Sequence, residues 1–405
     1  MNRGTQVRGL SSRHRILVWM CVLIAVNQVG FGSVVPVAPL YAATFGVPPA
    51  AIGLTIALYG LARFLFAVPS GRLADRIGRR GTLAWGGAVT VAGNVLCAAA
   101  PSYALFLSAR FVAGAGAALI LTAAQIVLAD ISTPSQRGRF MGIYSGVFAF
   151  AVGAGPYPGG ILAEHFGLNA PFVAYGALAA IVAAVAWLRI PETRGGSLAP
   201  GLKVGKVPSF ARQIRLMSAN TGFLLVSLIG FTAAVARTGA VFNVIPLMVT
   251  DRLGLAPDQI GLGLSLVSLF GLLLAYPSGV LVDRFGRKSV IVPATLMSGA
   301  AAALFAVVPS FAWFLAASGV WGFALGLASD APGAYAADSA PPGMNAAVMS
   351  TYRMLSDAGY VLGPILLGII ASSAGAPSAL AVAGGLLVVS AALFGRFAPE
   401  TYRSR

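Results

Sequence analysis

Charge is scarce in this chain. Asp, Glu, Lys and Arg make up 9% of its 405 residues, against roughly 25% in an ordinary soluble domain. So small a supply cannot cover a surface that faces water, which excludes a soluble globular protein. Cysteine and histidine are rarer still, two of each. Cys21 and Cys97 sit inside apolar runs, and His14 and His165 flank them, with no spacing that resembles a metal site. A disulfide framework and a metal centre are therefore not expected, and the two thiols are read as reduced side chains packed in helices. Also missing are a sizeable polar domain, a nucleophile–base pair and a phosphate-binding loop. An enzyme is not expected, and neither is a cofactor.

What the chain has instead is apolar length. Hydrophobic residues make up 58%, and the formal net charge is +16. In a soluble protein such a charge would suggest nucleic acid. Here Lys and Arg stand in short clusters between long apolar stretches, so they are read as setting membrane topology and meeting anionic lipid. No nucleic-acid partner is expected.

A bilayer core of roughly 30 Å needs about 20 apolar residues in a helix. The sequence offers candidate spans near 16–40, 51–71, 82–100, 103–128, 140–163, 170–189, 220–249, 259–281, 289–308, 311–333, 346–371 and 378–396. The basic start followed by an apolar run from Ile16 imitates a secretory signal. The run continues to about Leu40, longer than a typical signal core, and is read as a retained first helix.

The strongest organisational signal is an internal repeat with an offset of 208 residues. Pro69, Ser70, Gly71, Asp75, Arg76, Gly78 and Arg79 return as Pro277, Ser278, Gly279, Asp283, Arg284, Gly286 and Arg287. Asp130 returns as Asp338, Gly155-Pro156 as Gly363-Pro364, and Pro191-Glu192-Thr193 as Pro399-Glu400-Thr401. Composition bias could match scattered Gly and Ala, but could not readily keep Asp, Pro and Glu in one register. The chain is read as a tandem duplication of a six-helix unit, the two copies inserting with the same orientation. The expected organisation is an N-terminal bundle over 1–189, a linker over 190–218 and a C-terminal bundle over 219–405. A short interfacial helix is expected near 208–217. Lys and Arg concentrate at both termini, in the linker and in 72–80, 137–139 and 284–288, while the opposite loops hold Arg252. Both termini and the linker are therefore expected in the cytoplasm.

The loop after the second helix reads Gly71-Arg72-Leu73-Ala74-Asp75-Arg76-Ile77-Gly78-Arg79-Arg80, and its second copy runs from Gly279 to Lys288. Together with the duplication, this resembles the major facilitator superfamily over essentially the whole chain. The resemblance implies an all-α membrane fold of twelve helices in two pseudo-symmetric six-helix bundles. It implies that Gly71, Asp75, Arg76, Gly78, Arg79 and Asp130 form a cytoplasmic latch, with Gly279, Asp283, Arg284, Gly286 and Arg287 as the second copy. Asp75 would cap the start of helix 11 and Asp130 would share the neighbouring arginines. Arg110, followed by Gly114 and Gly116, resembles the family's helix-4 motif and would tune a proton-binding carboxylate. Gly155, Pro156, Gly159 and Gly160 match the G-P-x-x-G-G motif associated with antiporter branches. Pro36-Val37-Ala38-Pro39 also resembles drug–proton antiporters, although helix 1 has no acidic residue and offers Asn27 and Gln28 instead.

Charges inside spans are costly and mark function or pairing. They are Arg63, Arg110, Arg237, Asp330, Arg353 and Asp357. Arg353 and Asp357 are four apart and share a helix face. Given the family's packing of helices 2 and 11, an Arg63–Asp357–Arg353 cluster is expected, with Asp357 or Asp330 as the proton carrier. A permanently paired structural cluster is the alternative. Tyr59, Phe148, Tyr157, Phe242 and Tyr360, with Asn27 and Gln28, are candidates to line a substrate pocket. The expected function is proton-coupled export of small amphipathic molecules from a bacterial-type inner membrane, by a monomer as the family implies. The alternative is uptake of a sugar, organic acid or other metabolite.

Overall fold

Lipid offers no partner to backbone N–H and C=O groups, so each apolar run must satisfy them within itself as a helix. The computed structural model describes residues 3–132, 137–194, 216–328, 331–340 and 345–401, and no strand occurs among them. Among the described residues twelve helices are long and apolar enough to cross a membrane. They are α1 (Arg13–Val34), α2 (Pro49–Ile77), α3 (Arg79–Ala98), α4 (Tyr103–Ile131), α5 (Phe140–Phe166), α6 (Ala170–Arg189) and α7 (Thr221–Leu253). There follow α8 (Pro257–Phe285), α9 (Arg287–Ala306), α10 (Phe311–Asp338), α11 (Val348–Ala374) and α12 (Ala376–Phe397). Asp330, the linker over 195–215 and nearly all of the expected interfacial helix lie outside the described residues. For Gly279 and Asp283 only the helical backbone is described.

Helix ends depart from the apolar runs for local reasons. The first span stops at Val34 rather than near Leu40, because Pro36 has no N–H to continue it and restricts the residue before it. A separate short helix, Ala38–Ala43, follows. The second span runs on through the polar loop sequence to Ile77. Gly78 ends it with φ of +89°, and Gly286 does the same in the second copy with φ of +94°, a region that only glycine enters cheaply. The seventh helix contains a feature absent from the sequence expectation, a π-helical stretch over Ala236–Val244.

The chain divides into two compact units. One comprises Met1–Val37 and Leu58–Leu202, the other Ala38–Ala57 and Lys203–Arg405. In the first unit α3 packs on α4 and α6, and α1 on α5 and α6. In the second, α9 packs on α10 and α12, and α7 on α11 and α12, the same pairings carried forward by the repeat. Without a hydrophobic drive between helices in lipid, small residues bring backbones close enough for dispersion to hold them. A Cβ at Gly86 would stand 2.9 Å from the Ile120 backbone nitrogen, and one at Gly116 2.6 Å from that of Thr90. The first unit's core gathers Leu17, Met20, Leu23, Ile24, Leu83, Ile120 and Val127. That of the second gathers Val226, Ile229, Val290, Ile291, Tyr335 and Phe394.

Candidate functional site

Four polar arrangements stand out among the described residues. The first is built on the start of α3. Its opening N–H groups have no partner within the helix, and Glu192, just past α6, supplies one. The Arg79 and Arg80 backbone N–H groups donate to Glu192 Oε1 and Oε2 at 2.9 and 3.2 Å. A carboxylate there also faces the positive end of the helix. Burial alone would raise this carboxyl. The N–H donors of Arg79, Arg194 and Arg80, helped by the Arg79 charge, outweigh it and hold it below the usual carboxylate range. Any side chain at Gly78 would collide with the Glu192 carboxylate, a second reason for glycine in this loop.

Arg79 then ties the loop to α4. Its Nε pairs with Asp130 Oδ2 at 3.0 Å and its Nη1 with Asp75 Oδ1 at 2.9 Å. Thr193 Oγ1 donates to the same Asp130 oxygen at 2.9 Å. Among the described residues the second unit repeats the ties to the helix start and to α10. Arg287 and Lys288 N–H groups donate to Glu400 at 3.2 and 3.1 Å. Arg287 Nε meets Asp338 at 3.2 Å, and Thr401 Oγ1 meets it at 3.4 Å. The latch residues named from the sequence are thus joined by Glu192, Thr193, Glu400 and Thr401, to which the sequence reading gave no role. Their signal was the Pro-Glu-Thr triplet recurring in the same register.

The second arrangement is the seam of α1 and α5. Helical geometry is interrupted at Gly155, between Arg137–Ala154 and Pro156–Phe166, where Pro156 removes a backbone donor. A Cβ at Gly155 would stand 2.5 Å from the Val29 carbonyl oxygen and 2.7 Å from Gly32 Cα. One at Gly159 would stand 2.5 Å from Ser33 Cα. The two helices meet here backbone to backbone.

The third arrangement surrounds Arg110. Snorkelling to the membrane edge was open to it on position alone. Instead it is 3% exposed, with its guanidinium 4.6 Å from the centre of the Tyr59 ring. Tyr59 in turn stacks on Phe31 at 5.3 Å. A cation held over an aromatic face gains about 2 kcal/mol when desolvated.

The fourth is a cavity of about 200 Å³ within the second unit. Residues of α7, α9, α10, α11 and α12 line it, among them Arg237, the one charged residue of the π-helical stretch.

The other sequence candidates are placed as follows. Arg63 is half-buried on α2, in the first unit. Arg353 is exposed and Asp357 half-buried, one turn apart on α11. Asn27 and Gln28 are buried and bonded to each other, Nδ2 donating to Oε1 at 2.8 Å. Tyr59 and Tyr360 are buried, Phe148 packs on the first core, Tyr157 is exposed and Phe242 half-buried. Asn27, Gln28, Tyr59, Phe148 and Tyr157 fall in the first unit, and Phe242 and Tyr360 in the second.

Known proteins with this pattern are transporters. The Major Facilitator Superfamily profile matches twice, over residues 20–236 and 226–405. Multidrug resistance protein 2 of Bacillus subtilis is 25% identical over 368 residues, covering 90% of this chain and 90% of that protein. The class C tetracycline resistance protein of Escherichia coli is 30% identical over 278 residues, 66% of this chain and 68% of that protein. Among solved structures, a bacterial homolog of the human lysosomal transporter Spinster superposes with a TM-score of 0.74 at 17% identity. The match spans 94% of this chain and 96% of that one.

Proposed function

The chain belongs to the major facilitator superfamily, and from that premise we propose that it is a proton-coupled exporter of small amphipathic molecules. It is a multi-pass membrane protein with twelve spans. In this reading it works as a monomer in a bacterial-type inner membrane, with both termini in the cytoplasm. The clustering of Lys and Arg in alternate loops supports that orientation.

The observation that carries the export reading is the Gly155-Pro156-x-x-Gly159-Gly160 break in α5, seated on the α1 backbone. It resembles the helix-5 motif associated with the antiporter branches of the family. The names of the relatives support the same direction, since they are multidrug and tetracycline resistance proteins. Alternating access would carry the substrate past a site near mid-membrane. Asp357 is the proposed proton carrier, with Arg353 one turn away on the same helix. In the same reading the latch frames on α3 and α9 hold the cytoplasmic ends of each unit rigid while the proton site changes charge.

Everted vesicles offered a panel of fluorescent drugs and an energy source test this directly. Accumulation should collapse on adding a protonophore, and Asp357→Asn should remove the proton dependence. Accumulation driven by a sodium gradient alone would reject proton coupling. Full proton-driven transport by the Asn variant would remove Asp357 from the mechanism.

A further inference from the structure

Around the start of α3 the first unit gathers more positive charge than it neutralises. Arg79 is committed, paired with Asp75 and Asp130. Arg76, Arg80 and Arg194 form no ion pair with a carboxylate among the described residues. Glu192 stands beside them but is spent on backbone, its oxygens accepting from the N–H groups of Arg79, Arg80 and Arg194. Arg194 reaches across the loop and donates from Nη1 to the Arg76 carbonyl at 2.8 Å. The Arg80 guanidinium lies over the Trp187 ring at 4.6 Å, and its Nε is buried with no hydrogen-bond partner among the described residues. Stacking on a ring leaves the N–H edge of a guanidinium available to an oxygen anion. Because Glu192 already holds the helix start, such an anion would meet side chains rather than backbone.

What lies next to these charges decides the kind of anion. Trp85 on α3 and Trp187 and Leu188 on α6 are exposed. In a chain that spans a bilayer, exposed apolar faces meet acyl chains, and Trp near the end of a span sits at head-group level. The two helices are in close contact, since a Cβ at Gly87 would stand 2.7 Å from that of Ala183, so a single lipid can touch both. Guanidinium groups above an apolar strip match a molecule with an anionic head and apolar tails better than a small soluble anion. The repeat supplies a control within the same chain. Arg80 returns as Lys288, whose Nζ donates to the Ala398 carbonyl at 2.9 Å. Trp187 returns as Gly395 and Trp85 as Pro293. The second copy therefore lacks both rings, and its lysine is tied to backbone.

We propose that this end of the first unit binds an anionic phospholipid, its phosphate held by Arg80 with Arg76 and Arg194 beside it, and its acyl chains on Trp85, Trp187 and Leu188. The site stands apart from the export reading and does not depend on it. Tryptophan fluorescence of the purified full-length protein in uncharged detergent tests it, with bromine on the acyl chains as the quencher. Brominated phosphatidylglycerol should quench at about tenfold lower concentration than brominated phosphatidylcholine. Arg80→Gln and Arg194→Gln leave the backbone donors to Glu192 in place, and each should weaken phosphatidylglycerol about fivefold. Trp187→Phe should remove part of the saturable quenching. Lys288→Gln, at the matching place in the second unit, should leave the lipid preference unchanged, and inorganic phosphate should not compete. Each variant is compared only if it elutes as a monodisperse peak with unchanged helical signal, and Arg194→Gln carries the test if Arg80→Gln does not. Equal quenching by the two lipids, wild-type affinity in the arginine variants, or an equal loss in Lys288→Gln would overturn the proposal. Displacement of the lipid by inorganic phosphate would assign the arginines to a soluble anion and overturn it as well.

Discussion

In the first unit Gly159 lies against the backbone of Ser33, whereas its repeat counterpart in the second unit is Leu367, 1% exposed. The partner helix compensates. Where Gly159 meets Ser33 of α1, Leu367 meets Gly239 of α7, and a Cβ there would stand 2.9 Å from Leu367 Cδ1. Bulk and gap have changed sides of the seam. The paired prolines differ as well. Pro156 interrupts α5, and the carbonyl it frees, that of Val152, faces Gly32. Pro364 leaves α11 continuous over Asn345–Ala374, and the carbonyl it frees, that of Tyr360, accepts from Thr238 Oγ1 at 3.1 Å. Asn243 Nδ2 adds a contact to the Pro364 carbonyl at 3.4 Å. Both seams bring backbones together, since a Cβ at Gly363 would stand 2.7 Å from the Val235 carbonyl oxygen, and the α7–α11 seam adds these side-chain hydrogen bonds. A seam tied in this way must surrender hydrogen bonds when its helices shift.

The two frames at the starts of α3 and α9 differ in how deeply they are buried. Arg79 and Asp130 have 13% and 18% of their side chains exposed, against 19% and 38% for Arg287 and Asp338. Next to them, Arg80 lays its guanidinium over the Trp187 ring at 4.6 Å. Its counterpart Lys288 donates instead to the Ala398 carbonyl at 2.9 Å, closing the last turn of α12.

Substituting at the seams should break the comparison most visibly. Gly159→Ala pushes a methyl into backbone that cannot rotate away, and should cost about 3 kcal/mol and most of the transport. Leu367→Ala opens a void instead. It should cost about 2 kcal/mol, the packing share of a core deletion in lipid, with transport largely kept. Thermal unfolding of the purified proteins beside vesicle uptake separates the two. Equal losses of transport would mean that the seams are equivalent. The latches come next. Arg79→Ala should destabilise by about 2 kcal/mol and Arg287→Ala by about 1 kcal/mol, because bonds to charged groups weaken as water reaches them. Reversal of that order in the same unfolding assay would show that exposure does not set their strength.

The smallest effect concerns pH. Glu192 is held below its unfolded value of 4.5. The carboxylate it keeps in the folded chain stabilises at neutral pH, and that stability is lost as pH falls below about 4.5 and through the folded value. The Tm gap between the wild type and Glu192→Gln should therefore be present at pH 7 and shrink at pH 3.5. A gap that widens on acidification would reverse the sign.

The twelve spans were legible because a bilayer converts length and apolarity directly into a helix, and the repeated loops before α3 and α9 because their residues are contiguous. Helix ends were less legible. Arg72, Asp75 and Arg76 read as loop, yet the chain stays helical through them until Gly78 permits a positive φ. The functions of Glu192 and Glu400 depended on contacts 113 residues away in sequence. Their triplets could be seen to repeat, but not what they touch.

By itself the sequence determined the duplication, the membrane as solvent and the residues at which the two copies diverge, since each is a matter of composition or register. Tertiary structure alone decided that Arg110 lies buried over Tyr59, that α7 widens into a π-helix, and that a cavity opens beside Arg237. The physical reason is common to all three. Each depends on how closely two helices approach, and that distance is set by side chains on both of them, which no single stretch of sequence contains.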